Sequence, residues 1–239
     1  MIYRLIFILI ISTSSLSAQY FFWPGDTLFV WAHSGLNLRE SADSKSDIIS
    51  TIPFGKRVLL DANVQSDEKL IKIIDSKVIK GKRTPSYSLK GRMIKVIYND
   101  TAGFVYSGFL SRIDPILKQF DYNYDKILTQ KYGEIKSFIL SDTIIGAKEI
   151  VFGNGVLHLS VGGSNWFKET YVFPYKTFQE GILLILLTIN SDELDRYSDN
   201  WFIYKKEENL IEFHETNNMY RILLKEVDDL LIITYSGSN

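Results

Sequence analysis

The sequence predicts a mainly β protein with two parts, a small β-barrel and an α+β domain that ends in an antiparallel meander. Short alternating apolar runs occupy residues 27–112, helical periodicity follows at 114–133, and alternating runs separated by turn residues return from 134 onward. With 239 residues, of which 46% are hydrophobic, the chain is long enough to bury two modest cores.

The first strands of the barrel are predicted from alternation around glycine turns. Leu36 and Leu38 alternate with the polar Asn37 and Arg39, which indicates a half-buried strand. Residues 48–52 and 56–60 predict two further strands separated by a turn at the intervening glycine. Residues 93–98 and 101–110 predict the strands that complete the barrel.

Three motifs in this region resemble the bacterial SH3-like (SH3b) domain family. The run GLNLR at 35–39 is similar to the family's G-L-N-hydrophobic-R strand, and the turn at Gly55 is similar to its hydrophobic-x-G-x-x-hydrophobic turn. The run GFVYSGFL at 103–110 is similar to its closing strand. The resemblance covers about residues 27–112 and implies an SH3-like barrel at residues 19–113 that binds or scaffolds at the cell envelope. Because similar modules in wall-lytic enzymes hold peptidoglycan peptides, it implies peptidoglycan or an envelope protein as the partner.

An insertion at about residues 65–92 interrupts the SH3-like pattern and predicts a long hairpin. Residues 69–95 contain nine basic side chains and the single acid Asp75. Either these charges discourage edge-to-edge pairing of an isoleucine-rich hairpin, or they engage an anionic partner. The candidate binding residues under the second interpretation are Lys80, Lys82, Arg83 and Lys90.

The second part begins with a linker helix predicted for residues 114–133, because an Asp-Pro pair is a favourable helix start and Gly133 a favourable stop. The α+β domain is then predicted for residues 134–239. Thr177 and Glu180 form a capping box before an apolar run, which predicts a short buried helix, with a central strand as the alternative. Alternating apolar residues predict a final meander of four strands, at 201–204, 210–213, 219–224 and 230–235.

The N-terminus has the pattern of a secretory signal peptide over residues 1–18. A basic residue precedes a short apolar run, and small residues follow it up to Ala18, the predicted cleavage position. The run is too short to span a bilayer, so we expect an exported protein, periplasmic or secreted, without a transmembrane segment in the mature chain.

The absence of cysteine excludes disulfides, a thiol nucleophile and cysteine-type zinc sites.

The sequence does not predict an enzyme. His33, His158 and His214 have no partner at metal-ligand or catalytic spacing, apart from Glu215 beside His214, and adjacent strand residues point to opposite faces. No nucleophile elbow or phosphate-binding loop is present. We therefore expect no catalytic residue, cofactor or metal, and the formal net charge of -1 argues against nucleic acid as a partner. The alternative is an envelope hydrolase in the C-terminal domain, targeted by the SH3-like module, with a carboxylate pair assembled from distant strands.

Overall fold

The structure is a computed structural model that describes residues 22–62, 66–115, 124–141, 146–189, 200–217 and 219–238. It is mainly β, as predicted, with antiparallel sheets and two α-helices. The predicted signal peptide and residues 116–123 of the predicted linker helix lie outside the described residues. Within the described ranges neither helix is long and apolar enough to cross a membrane.

The described residues of the N-terminal half contain eleven strands. They are β1 (Thr27–Val30), β2 (Leu36–Arg39), β3 (Ile48–Ile52), β4 (Arg57–Ala62), β5 (Lys69–Ile74), β6 (Val78–Ile79), β7 (Lys82–Arg83), β8 (Tyr87–Gly91), β9 (Met93–Tyr98), β10 (Thr101–Tyr106) and β11 (Leu110–Ser111). The C-terminal half contains α1 (Tyr124–Tyr132), β12 (Glu134–Ser141), β13 (Ala147–Phe152), β14 (Leu157–Gly163), β15 (Trp166–Pro174), α2 (Phe178–Ile189), β16 (Trp201–Glu207), β17 (Leu210–Glu215), β18 (Tyr220–Val227) and β19 (Leu230–Ser238).

Seven strands of the N-terminal half form one antiparallel sheet in the order β11-β1-β4-β9-β10-β2-β3. Alternate residues of these strands, among them Leu28, Leu38, Val96 and Val105, are fully buried in one core. The predicted barrel closure is not observed, because the edge strands β3 and β11 do not pair in the described residues. Strand β11 has two residues, and the next backbone N–H, that of Arg112, bonds the Glu180 carboxylate instead of another strand.

The insertion folds as a long two-part hairpin, which we call the arm (residues 69–91). Strand β5 pairs with β8, and β6 pairs with β7 farther out. Lys80 and Gly81 make the two-residue turn between β6 and β7 with φ of 49° and 78°. Positive φ at both central residues is the geometry that matches the twist of a hairpin. The tip of the arm, residues 78–83, is thereby a regular β-hairpin turn.

In the described residues, the C-terminal half forms one eight-stranded sheet in the order β12-β13-β14-β15-β19-β18-β17-β16. The predicted meander is confirmed as β16 to β19. Strand β15 was not predicted, and it joins the meander to the three strands before it. Gly162 and Gly163 pair within β14, and the chain turns at Ser164 and Asn165.

Helix α2 confirms the capping-box prediction and the choice of helix over strand. The Thr177 hydroxyl accepts from the Glu180 backbone N–H at 3.2 Å, and the Thr177 backbone N–H donates to Glu180 Oε2 at 2.9 Å. A Cβ added to Gly181 would lie 2.6 Å from the Leu224 side chain, so glycine lets α2 approach the eight-stranded sheet closely. Residues 182–185 are buried on all sides.

The core around α2 includes side chains from both halves of the chain. Trp31, Leu89 and Ile113 of the N-terminal half belong to the same buried cluster as Ile182 and Ile185. The Trp31 indole N–H also donates to the Ile113 carbonyl at 2.8 Å. The two halves of the chain therefore share one apolar cluster around α2, beside the separate core of the seven-stranded sheet.

Candidate binding groove

A groove of about 430 Å³ lies where the GLNLR strand faces the base of the arm. We call it the motif groove. Its polar lining comes from the β2 region and from the start of β5, and its aromatic lining comes from the end of β10 and the short helix that follows. Its lining includes His33, Gly35, Asn37, Arg39, Ser44, Lys69, Tyr106 and Phe109.

Gly35 brings the chain into β2 at the edge of the groove. Its φ is 85°, and an added Cβ would lie 2.6 Å from Thr51 Cγ2 and 3.0 Å from the Ile52 carbonyl oxygen. Glycine is needed here because other residues rarely adopt this positive φ and because a side chain would collide with Thr51 and Ile52. The alternation that follows buries Leu38 and leaves Asn37, whose Oδ1 accepts from the Thr51 hydroxyl at 3.1 Å, on the accessible side.

Tyr106 ties the arm to the floor of the groove. Its hydroxyl donates towards the carbonyl oxygens of Lys69 and Leu89, at 3.0 and 2.8 Å, one on each long strand of the arm. The ring lies against Gly91 and Gly108, where an added Cβ would come within 2.8 and 2.3 Å of ring atoms. Burial raises the pKa of Tyr106 to about 12, so the hydroxyl stays a neutral donor at physiological pH.

The groove has a positive lining without a carboxylate. Arg39 Nη1 donates to the Ser46 carbonyl at 2.5 Å, and Lys69 Nζ donates to the Ser44 hydroxyl at 2.6 Å. Neither cation makes an ion pair within the described ranges, and no Asp or Glu lines the groove. His33 is exposed at the rim, where its ring stacks on Phe54 with centroids 5.0 Å apart. The chemistry suits a ligand that offers carboxylate or carbonyl oxygens.

The structure brings together three of the four basic residues predicted from the insertion. Lys80, Lys82 and Arg83 are exposed at the tip of the arm and make no ion pair in the described part of the chain. Lys90 lies at the base instead, where its ammonium pairs with Glu68 at 3.0 Å and its backbone N–H donates to Gln179 Oε1 at 2.9 Å. The six-residue strand β5 separates the tip from the motif groove.

A second polar cluster, the His158 group, consists of Asp125, His158 and Glu169. His158 Nδ1 lies 2.8 Å from Asp125 Oδ1, and Nε2 lies 3.6 Å from Glu169 Oε2. The imidazole stacks in parallel on Tyr171 with centroids 4.2 Å apart. Burial lowers the pKa of His158, but the two carboxylates together more than offset burial and place it above 6.5.

Sequence reasoning missed the His158 group because its members are not close in the chain. Asp125 is on α1. His158 on β14 pairs with Tyr171 on β15, and Glu169, two residues before Tyr171, therefore lies on the same face of the sheet as His158. On β17, His214 Nε2 lies 2.6 Å from Glu212 Oε1, so this histidine has a carboxylate partner that was not predicted from the sequence. In the ranges described, no three His, Asp or Glu side chains are grouped as a metal site.

No protein-family model matches the chain, and no curated protein or solved structure matches it significantly. The likeness to the bacterial SH3-like family is therefore a resemblance of motifs at 35–39 and 103–110. A functional assignment depends on the geometry and chemistry of the motif groove and the arm.

Proposed function

We propose that this chain is an exported, non-enzymatic protein whose SH3-like N-terminal half binds a component of the cell envelope. The observation that carries the proposal is the motif groove, because the residues of the family-like GLNLR motif form its wall. A signal-peptide pattern at residues 1–18 supports export, to the periplasm or beyond it.

The chemistry of the groove supports peptidoglycan as the first ligand to test and an envelope protein as the second. Peptidoglycan stem peptides carry free carboxylates and amide carbonyls, which match Arg39 and Lys69 as donors and Asn37 as a donor and acceptor. Phe109 and the His33–Phe54 stack offer apolar contact at the rim. A groove of about 430 Å³ has room for a few residues of an extended peptide, in the size range of small ligand sites.

The tip of the arm supports an additional electrostatic contact with an anionic surface. Its three cations, which make no ion pair among the described residues, stand beyond the end of β5, where a flat polymer or an acidic protein face can reach them. Attraction of this kind is screened over about 10 Å at 0.1 M salt. Tip contacts should therefore weaken as salt rises, whereas contacts within the partly enclosed groove should change less.

The alternative function, a hydrolase in the C-terminal half, would use the His158 group as its acid–base residues. The side chain of His158 is only 4% exposed, and the Tyr171 ring covers one face of the imidazole. A general base must come within hydrogen-bond reach of a substrate proton. We favour the binding module because this histidine is enclosed by the protein's own carboxylates.

The test is retention of the mature protein, from Gln19 onward, on purified sacculi. The groove variant carries Asn37→Ala with Lys69→Ser, and the tip variant carries Lys80→Ser, Lys82→Ser and Arg83→Ser. The matched control removes three exposed charges from the other sheet, with Lys168→Ser, Arg221→Ser and Lys225→Ser.

The groove variant is expected to lose most binding at every salt concentration, and the tip variant is expected to lose binding only at low salt. The control should bind like the unmodified protein. Loss of binding in the control to the same extent would show that net charge alone drives retention. If the unmodified protein fails to pellet with sacculi, peptidoglycan is excluded and an envelope protein becomes the ligand to test.

A further inference from the structure

A separate cavity of about 470 Å³ opens between the two halves of the chain, away from the motif groove. It is enclosed by the segment after β11, by α1, by the turn between β13 and β14, and by the end of β15. Leu128, Val156 and Phe173, each 3% exposed, give it an apolar floor. None of its lining residues lines the motif groove.

Lys176 is the unusual residue of this cavity. It is half-buried, and within the described part of the chain its ammonium makes no hydrogen bond and no ion pair. Burial lowers the pKa of Lys176, with the charge of Glu180 acting to raise it and that of Arg112 to lower it. A desolvated ammonium without a partner is unfavourable, so this side chain has an unmet requirement for an anion.

The other charges around the cavity are already engaged with one another. Arg112 pairs with Asp26 at 3.1 Å, and Lys131 pairs with Asp114, the one carboxylate among the lining residues. The carboxylate of Glu180 acts electrostatically on Lys176, but both of its oxygens already accept hydrogen bonds. Oε1 accepts from the Ser111 hydroxyl and the Arg112 backbone N–H, and Oε2 accepts from the Thr177 backbone N–H and hydroxyl. Among the described residues, the wall has three cations and one carboxylate.

The mouth of the cavity contains a residue in a sparsely populated backbone conformation. Tyr175 has a φ of 55°, which is unfavourable for a tyrosine, and its side chain is exposed. Its backbone N–H donates to the Asp229 carbonyl at 2.8 Å, which holds this conformation. Strain of this kind is concentrated at ligand sites. The conformation places an aromatic ring beside the entrance, next to Lys176.

We propose that this cavity binds a small amphipathic carboxylate, with the carboxylate on Lys176 and the apolar part against Leu128 and Phe173. A ligand carboxylate would be an anionic partner for the Lys176 ammonium, and the aromatic or aliphatic part of the ligand would replace water on the apolar floor. The site is independent of the motif groove, so either can be disproved without the other.

The experiment is a two-dimensional NMR titration of the mature protein with 4-phenylbutyrate and with its neutral analogue 4-phenylbutan-1-ol. The carboxylate is expected to bind saturably and about tenfold more tightly than the alcohol, with shifts at Lys176, Tyr175 and Val156. Lys176→Met, which keeps the length and apolar volume of the side chain, should remove that preference. Lys225→Met, at an exposed lysine on β18, should keep it.

Equal affinity for the two probes in the unmodified protein, or no saturable binding up to about 20 mM, would overturn the proposal without any variant. A carboxylate preference that survives in Lys176→Met would overturn it as well. Lys176→Met should also bind sacculi as the unmodified protein does, which separates this site from the proposed function.

Discussion

Ser111 donates a hydrogen bond from its hydroxyl to Glu180 Oε1, 2.9 Å away and 69 positions later in the chain. The same oxygen accepts from the Arg112 backbone N–H at 2.7 Å, while Oε2 closes the capping box with Thr177. One carboxylate thus caps α2 and fastens it to the edge of the N-terminal sheet. Because Glu180 is only 2% exposed, water cannot replace these bonds if the carboxylate is removed.

Glu180→Ala should lower the free energy of unfolding by about 3 kcal/mol, since it removes a helix cap and leaves buried donors unsatisfied. Glu180→Gln should cost less, because an amide oxygen can still accept from Ser111 and Arg112. Urea unfolding followed by circular dichroism measures both. Glu208→Ala, at an exposed position, is the matched control and should change stability little. Equal losses for the alanine variants at 180 and 208 would contradict the assignment.

Tyr106→Phe should loosen the arm more than it destabilises the whole protein. The change removes the donor to the Lys69 and Leu89 carbonyls, with an expected cost of about 1–2 kcal/mol. Amide hydrogen exchange should become faster in β5 and β8 and stay slow in β9. Tyr98→Phe, on the same sheet, is the control. Unchanged exchange in the arm would show that the ring contacts alone hold it in place.

The His158 group should make stability depend on pH. Because the pKa of His158 is raised in the folded protein, its contribution is fully present below the ordinary value of 6.5 and is lost as pH rises through the folded pKa. The stability difference between the unmodified protein and His158→Gln should therefore be larger at about pH 6 than at about pH 9. Urea unfolding at both pH values measures it. An NMR titration that gives His158 a pKa below 6.5 would refute the prediction.

Gly35→Ala should destabilise the N-terminal half by about 2–3 kcal/mol and reduce sacculus binding. The substitution combines positive-φ strain with contacts at 2.6 and 3.0 Å to Thr51 and Ile52. Gly25→Ala isolates the first effect, because Gly25 has a φ of 93° and an added Cβ there has nothing within 4 Å. Urea unfolding should give the smaller loss for position 25. Equal losses would mean that crowding at Gly35 is relieved by movement of the Thr51 side chain.

Local signals predicted much of the fold. The Thr177 and Glu180 spacing was sufficient for the start of α2, and alternation was sufficient for the four meander strands. Strand β15 was missed because its first four residues, WFKE at 166–169, place two aromatic residues before two charged ones and so show no alternation. Its alternation becomes visible in the structure, where Tyr171 and Phe173 are buried on one face.

The contacts that define the sites were beyond sequence reasoning because they join distant positions. The Ser111–Glu180 bond, the Asp125–His158 pair and the Tyr106–Leu89 bond each require the tertiary fold first. The expected barrel closure was wrong for the same reason, since nothing local to β11 shows that Arg112 bonds to a helix cap. The arm was predicted, but the separation of Lys90 from the tip depends on its pairing register.

The apolar cluster around α2 means that a cut between the two halves would expose apolar surface on both fragments. A fragment that stops at residue 113 would expose Trp31, Leu89 and Ile113 to water, and the complementary fragment would expose the side of α2 that faces them. In the full-length chain, each half therefore covers apolar side chains of the other half. Isolated halves would tend to self-associate through that surface, whereas the full-length chain keeps it buried.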